Sequence, residues 1–72
     1  MTIMNIGKNI KQLRLQRNLT QRRIAEELGI TIQAVSKWEN NVNAPDISLL
    51  PGIARLLGVS IDALFSESVD EK

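Results

Sequence analysis

Gly29 and Thr31 are separated by one residue, Ile30, and this spacing limits the fold more than any other feature of the chain. Upstream, Ile24, Ala25 and Leu28 form the buried edge of a short helix that Gly29 ends, because glycine adopts the left-handed conformation without steric cost. Downstream, Thr31 is a side-chain N-cap that opens the next helix. A connection of about two residues forces consecutive helices to cross steeply instead of lying antiparallel, which is the geometry of a helix-turn-helix unit.

The same punctuation divides the rest of the chain. Ile3, Ile6, Ile10 and Leu13 recur at steps of three and four, with Lys8, Lys11 and Gln12 between them, so an amphipathic helix is expected from about Asn5 to Arg17. Asn18 then takes the left-handed position, Leu19 turns inward and Thr20 caps the second helix. The third helix should run to about Asn40, before the polar loop "NNVNAP". Pro51 lacks an N–H and fits only a first helical turn, so a loose turn capped by Asp46 is expected over 46–49 and a regular fourth helix from about Leu50 to Leu57. Gly58 ends that helix, and Ser60 caps a fifth holding Ile61, Leu64 and Phe65. The expected fold class is all-α, five short helices over residues 1–66 with a frayed acidic tail at 67–72.

With 72 residues the chain can build one small core. It contains no cysteine and no histidine. Disulfides, thiolate zinc sites and the commonest general base are therefore excluded, so neither a metal, a cofactor nor an enzymatic activity is expected. Its apolar stretches fall far short of the roughly 20 residues that span a bilayer, and a cytoplasmic location is expected. Net charge is +1, but it is unevenly placed: seven basic against three acidic residues up to Ala44, and two against five from Pro45 onward. The basic half suits a polyanion, the alternative being ordinary solvated charge.

On a helical wheel the third helix puts Ala34, Val35 and Trp38 on one side, and Trp38 is expected in the core against the first and fourth helices. Gln33, Ser36, Lys37 and Asn40 lie on the other side, with Ile32 at the border. A solvated helix face is normally rich in Glu and Lys pairs, and this one is not. Its groups match the DNA major groove: glutamine bonds adenine N6 and N7, lysine reaches guanine O6 and N7, and isoleucine presses on a thymine methyl. Gln21 opens the second helix, where unpaired N–H groups and the helix dipole favour a phosphate. Arg22 and Arg23 share that first turn against the dipole, which a nearby phosphate backbone would explain; solvated arginines are the alternative. Arg14 and Glu39 each border an apolar stripe and are expected to form a partly buried ion pair that orients the third helix.

Together "LTQRRIAEELGITIQAVSKWENN", "PDISLL" and "LLGVSIDALF" resemble the phage repressor and Cro-type helix-turn-helix family, often called the XRE family, from Ile6 to Phe65. The resemblance implies a lambda-repressor-like five-helix domain that binds double-stranded operator DNA as a homodimer, with the third helix in the major groove and the second across the backbone. It matches Thr31, Ile32, Gln33, Ser36 and Lys37 to the reading helix, with Gln33 and Lys37 at positions that usually touch bases, Gln21 to a phosphate-clamping glutamine, Asn40 to a backbone contact, and Arg14 and Glu39 to an internal ion pair. With the residue chemistry above, the expected base contacts are Ile32, Gln33, Ser36 and Lys37, and the expected phosphate contacts are Gln21, Arg22, Thr31 and Asn40. Two departures stand out. Arg23 occupies the place of a common acid, so the reciprocal half of a capping box is lost. Asn41 replaces a common glycine after the third helix, and asparagine tolerates the left-handed conformation.

The expected function is a sequence-specific transcriptional regulator, a repressor because so small a domain has little surface for recruiting polymerase. No small-molecule effector is evident. Val59, Ile61 and Phe65 are the expected dimer patch. The competing reading is a protein-binding module, such as an antitoxin or anti-repressor partner, that uses the acidic C-terminal half.

Overall fold

The structure is a computed structural model that describes residues 5–66; Ile3 and the tail at 67–72 lie outside the described residues. Five helices follow one another: α1 (Ile6–Gln16), α2 (Gln21–Leu28), α3 (Ile32–Glu39), α4 (Leu50–Leu57) and α5 (Ile61–Leu64), with a 3-10 turn, Ile47–Leu49, leading into α4. No strand occurs among the described residues, and the fold is all-α. No described helix is long and apolar enough to cross a membrane.

Local chemistry accounts for the boundaries. Thr20 Oγ1 accepts the Arg23 N–H at 2.9 Å, Thr31 Oγ1 the Ala34 N–H at 3.1 Å, and Ser60 Oγ the Ala63 N–H at 3.2 Å. Each cap satisfies a donor that the first helical turn leaves open. Asn18, Gly29, Asn41 and Gly58 all have φ between 58° and 71°. After each, the next N–H reaches back five residues: Leu19 to Arg14, Ile30 to Ala25, Val42 to Lys37 and Val59 to Ala54, at 2.9–3.0 Å. These are the closing bonds of Schellman motifs, which normally carry an apolar contact. Leu19, Ile30 and Val59 pack against the core, whereas Val42 is 66% exposed. Asp46 caps the 3-10 turn, and Pro51 sits in the first turn of α4.

One core joins all five helices: Ile6, Ile10 and Leu13 of α1, Ile24 and Ala25 of α2, Val35 and Trp38 of α3, Ile53, Ala54 and Leu57 of α4, and Leu64 of α5. α3 packs chiefly on α2 and α1, while α4 packs on α1, α2 and α5. Trp38 is therefore a core residue as expected, but its helix rests on α2 more than on α4. The reason is the short connection at Gly29–Thr31, which leaves α3 little freedom to move off its predecessor.

Three contacts in this frame had no sequence expectation. A Cβ at Gly7 would lie 2.0 Å from the Trp38 carbonyl oxygen, so α1 and α3 approach closely only because that position has no side chain. Buried Asn9 donates its two amide hydrogens to the carbonyls of Leu64, at 2.9 Å, and Ser66, at 2.7 Å, tying the end of α5 to α1. Arg17 Nε donates to the Leu57 carbonyl, placing a cation on the negative end of α4.

Candidate nucleic-acid interface

α3 carries two faces. Val35, Trp38 and Glu39 are buried, Ala34 and Ser36 are half-buried, and Ile32, Gln33, Lys37 and Asn40 are exposed. The apolar positions and the carboxylate dock the helix; the exposed set faces outward. Three of the four residues expected at bases, Ile32, Gln33 and Lys37, thus share an open surface. Ser36 is partly covered, because Asn40 Nδ2 donates to its carbonyl at 3.0 Å and lies 3.4 Å from its hydroxyl. Asn40 therefore folds back on its own helix end, adding a second donor to the Ser36 carbonyl, which already accepts the Asn40 backbone N–H at 3.0 Å. Exposed Thr31 engages its hydroxyl as the helix cap.

The expected ion pair forms. Arg14 Nε lies 2.7 Å from Glu39 Oε2 and Arg14 Nη2 lies 3.0 Å from Oε1, a two-point fork. The third guanidinium nitrogen, Nη1, donates to the Leu19 carbonyl at 2.9 Å. The hydrogen bond to Glu39 holds the Arg14 guanidinium above its ordinary pKa, burial opposes this, and the Glu39 charge supports it. Both residues are buried, so either one left alone would be an unpaired interior charge.

Arg22 and Arg23 are exposed, as expected, and each has a carboxylate partner one turn on. Arg22 Nε lies 3.1 Å from Glu26 Oε2, and Arg23 Nε lies 3.0 Å from Glu27 Oε2. An exposed pair at this spacing contributes about 0.3–0.5 kcal/mol, less with the cation on the N-terminal side. The dipole cost of each arginine is about 0.3–1 kcal/mol. The two effects are of similar size, so the glutamates offset much of that cost. This local compensation was readable from the four-residue spacing.

Gln21 occupies the first position of α2 and is half-buried. Its amide also has a partner that no sequence spacing signals: Gln21 Nε2 donates to Glu39 Oε1 at 3.0 Å. Glu39 lies at the far end of α3, eighteen residues away, and only the packing of α3 on α2 brings the two together.

Comparison with known proteins identifies the family of this fold. Residues 10–64 match the helix-turn-helix family. The transcriptional activator BcrR of Enterococcus faecalis is 38% identical over 63 residues, which is 88% of this chain and 31% of BcrR. The uncharacterised regulator YqaE of Bacillus subtilis is 38% identical over 66 residues, which is 92% of this chain and 57% of YqaE. This chain thus spans a third to just over half the length of these relatives. Both are named as transcriptional regulators, not as enzymes. The N-terminal DNA-binding domain of SinR from Bacillus subtilis superimposes with a TM-score of 0.79 at 30% identity, covering 92% of this chain and 97% of that one. SinR in complex with DNA gives a TM-score of 0.77 at 31% identity, over 85% of this chain and 98% of that one. The chain belongs to the helix-turn-helix family, in its XRE-type branch.

Proposed function

We propose that this protein is a sequence-specific transcriptional regulator that binds double-stranded operator DNA as a homodimer, with α3 in the major groove. The observation that carries this reading is the division of α3, whose buried face is locked by Val35, Trp38 and Glu39 while Ile32, Gln33 and Lys37 stand open. Ser36 reads from the edge of that surface. Gln21, Arg22, Thr31 and Asn40 hold the phosphates on either side. The SinR–DNA complex supports the reading, because a domain of the same fold and family binds DNA there.

The homodimer reading draws on Ile61 and Phe65, 39% and 47% exposed at α5, with Val59 beside them packed on the core. Two copies would engage half-sites about 34 Å apart, one helical turn. The repressor role is a further part of this reading. BcrR carries the name activator, so a promoter fusion with the operator moved upstream of the promoter is the deciding assay for that part.

In-vitro selection from random duplexes tests the main reading. An enriched palindromic site, with log affinity falling by about 0.9 per neutralised phosphate as log salt rises, is the expected result. Gln33→Ala should then relax preference at one base pair by about 1–3 kcal/mol, and Arg22→Ala should weaken all sequences alike. Failure to enrich any duplex would favour the protein-binding module instead.

A further inference from the structure

We infer that Glu39 is a positioning residue for Gln21: its buried carboxylate fixes the Gln21 amide so that an N–H, never the carbonyl, is presented to a DNA phosphate. The inference rests on the DNA-binding reading above and adds a second task to a carboxylate that otherwise serves only to dock α3.

The geometry is a closed polar ring. Glu39 Oε2 accepts from Arg14 Nε at 2.7 Å, and Oε1 accepts both Arg14 Nη2 and Gln21 Nε2 at 3.0 Å. Arg14 Nη1 holds the Leu19 carbonyl at 2.9 Å, one residue before the α2 cap. The ring therefore runs from α1 through the α1–α2 corner to the first residue of α2, across to the last residue of α3, and back. The Glu39 side chain is 2% exposed and that of Arg14 is 11%. In so dry a site the hydrogen bonds are stronger than in water.

This ring decides the orientation of an otherwise ambiguous group. A free glutamine amide can present either its carbonyl or its NH₂ to a ligand. Turning the Gln21 amide over would set its carbonyl oxygen about 3 Å from the carboxylate oxygen, two acceptors face to face with no donor between them. With one N–H engaged on Glu39, the second N–H is left for an outside acceptor. Phosphate oxygens are acceptors, so the group presented is the complementary one, already oriented before binding. Freezing one such side chain in advance strengthens binding by roughly two- to tenfold. It also ties the phosphate contact at α2 to the seating of α3, so a displaced reading helix loses both together.

A double-mutant cycle tests the assignment. Arg14→Met and Glu39→Met made together remove both buried charges, an exchange that proteins often tolerate. Against the duplex obtained by selection, Gln21→Met should weaken binding roughly tenfold or more in the original protein, as loss of a hydrogen bond to a charged group does. In the doubly substituted background, which lacks the ion pair, the same Gln21→Met change should cost roughly two- to tenfold less. Gln33→Ala should relax preference at its one base pair by the same amount in both backgrounds, showing that α3 is still seated. Equal Gln21→Met losses in the two backgrounds overturn the inference.

Should the double variant fail to fold, NMR of the unsubstituted free protein still decides. One Gln21 side-chain amide proton should be shifted and slow to exchange, and both at free-amide positions would overturn the inference. A protein with an anchored Gln21 amide and no duplex affinity would instead overturn the DNA-binding reading, so the two failures are distinct.

Discussion

Gly7→Ala offers the sharpest test of how α3 is seated. The added Cβ would fall 2.0 Å from the Trp38 carbonyl oxygen, 2.8 Å from Asn41 Oδ1 and 3.1 Å from the Trp38 carbonyl carbon. A carbon and a carbonyl oxygen rest at about 3.3–3.6 Å, so α1 and α3 must part by more than about 1 Å. The obstacle is helix backbone and has no rotamer to change. Overpacking of this kind costs about 1–3 kcal/mol, and the rigid partner puts it near the upper end. Alanine returns about 1 kcal/mol in helix propensity, leaving a net loss of about 2 kcal/mol. A domain of this size has about 4–11 kcal/mol in all, and the loss should lower the thermal midpoint by about 8–16 °C.

Urea and thermal unfolding followed by the fluorescence of Trp38, the single tryptophan, would measure this at the contact itself. Gly52→Ala is the companion. There the added Cβ meets only Leu28 Cδ2, at 3.0 Å, the end of a half-exposed side chain that can move. It should be neutral or stabilising by up to about 1 kcal/mol. A Gly7→Ala protein as stable as the original would refute the close-approach argument. Equal losses at both sites would show that the effect belongs to glycine generally and not to the Trp38 carbonyl.

Three further outcomes follow from single contacts. Asn9→Leu strips the donors from the Leu64 and Ser66 carbonyls and should cost about 1–3 kcal/mol in a urea titration; an unchanged midpoint would mean water replaces the amide. Thr31→Ala removes the α3 cap and should cost about 1 kcal/mol, with hydrogen exchange rising first at the Ala34 amide. The Asp46 carboxyl is held below its ordinary 3.8 by the Ser48 hydroxyl and then the Ser48 N–H. Its native value lies below its unfolded one, so its stabilisation is complete above about pH 4 and is lost as pH falls through the native value. The stability gap between the protein and Asp46→Asn should therefore shrink below about pH 4, and a gap unchanged at about pH 2.5 would rule this out.

Much of the helix framework was legible because helix ends are local chemistry. Thr20, Thr31 and Ser60 each satisfy a donor three residues ahead, and Asn18, Gly29, Asn41 and Gly58 each supply the left-handed turn that closes a helix. Pro51 marked the start of α4 for an equally local reason, its missing N–H. The Arg14–Glu39 pair was legible as well, since two charges bordering apolar stripes need a partner once those stripes are buried. Arg22 and Arg23 show the opposite weakness: their position against the helix dipole stood out, while the compensating Glu26 and Glu27 lay one turn away in the same sequence.

The chain by itself thus determined which segments are helical, where each one stops, and which face of α3 is apolar, because all of these depend on interactions within a turn or two of backbone. Only the tertiary structure decided that Gly7 must lack a side chain, that Asn9 ties down the end of α5, that Arg17 covers the end of α4, and that Gln21 shares Glu39 with Arg14. These pairings join residues eighteen or more positions apart. Their partners are backbone carbonyls or a single carboxylate oxygen, groups whose availability depends on how close two helices come once the core has closed.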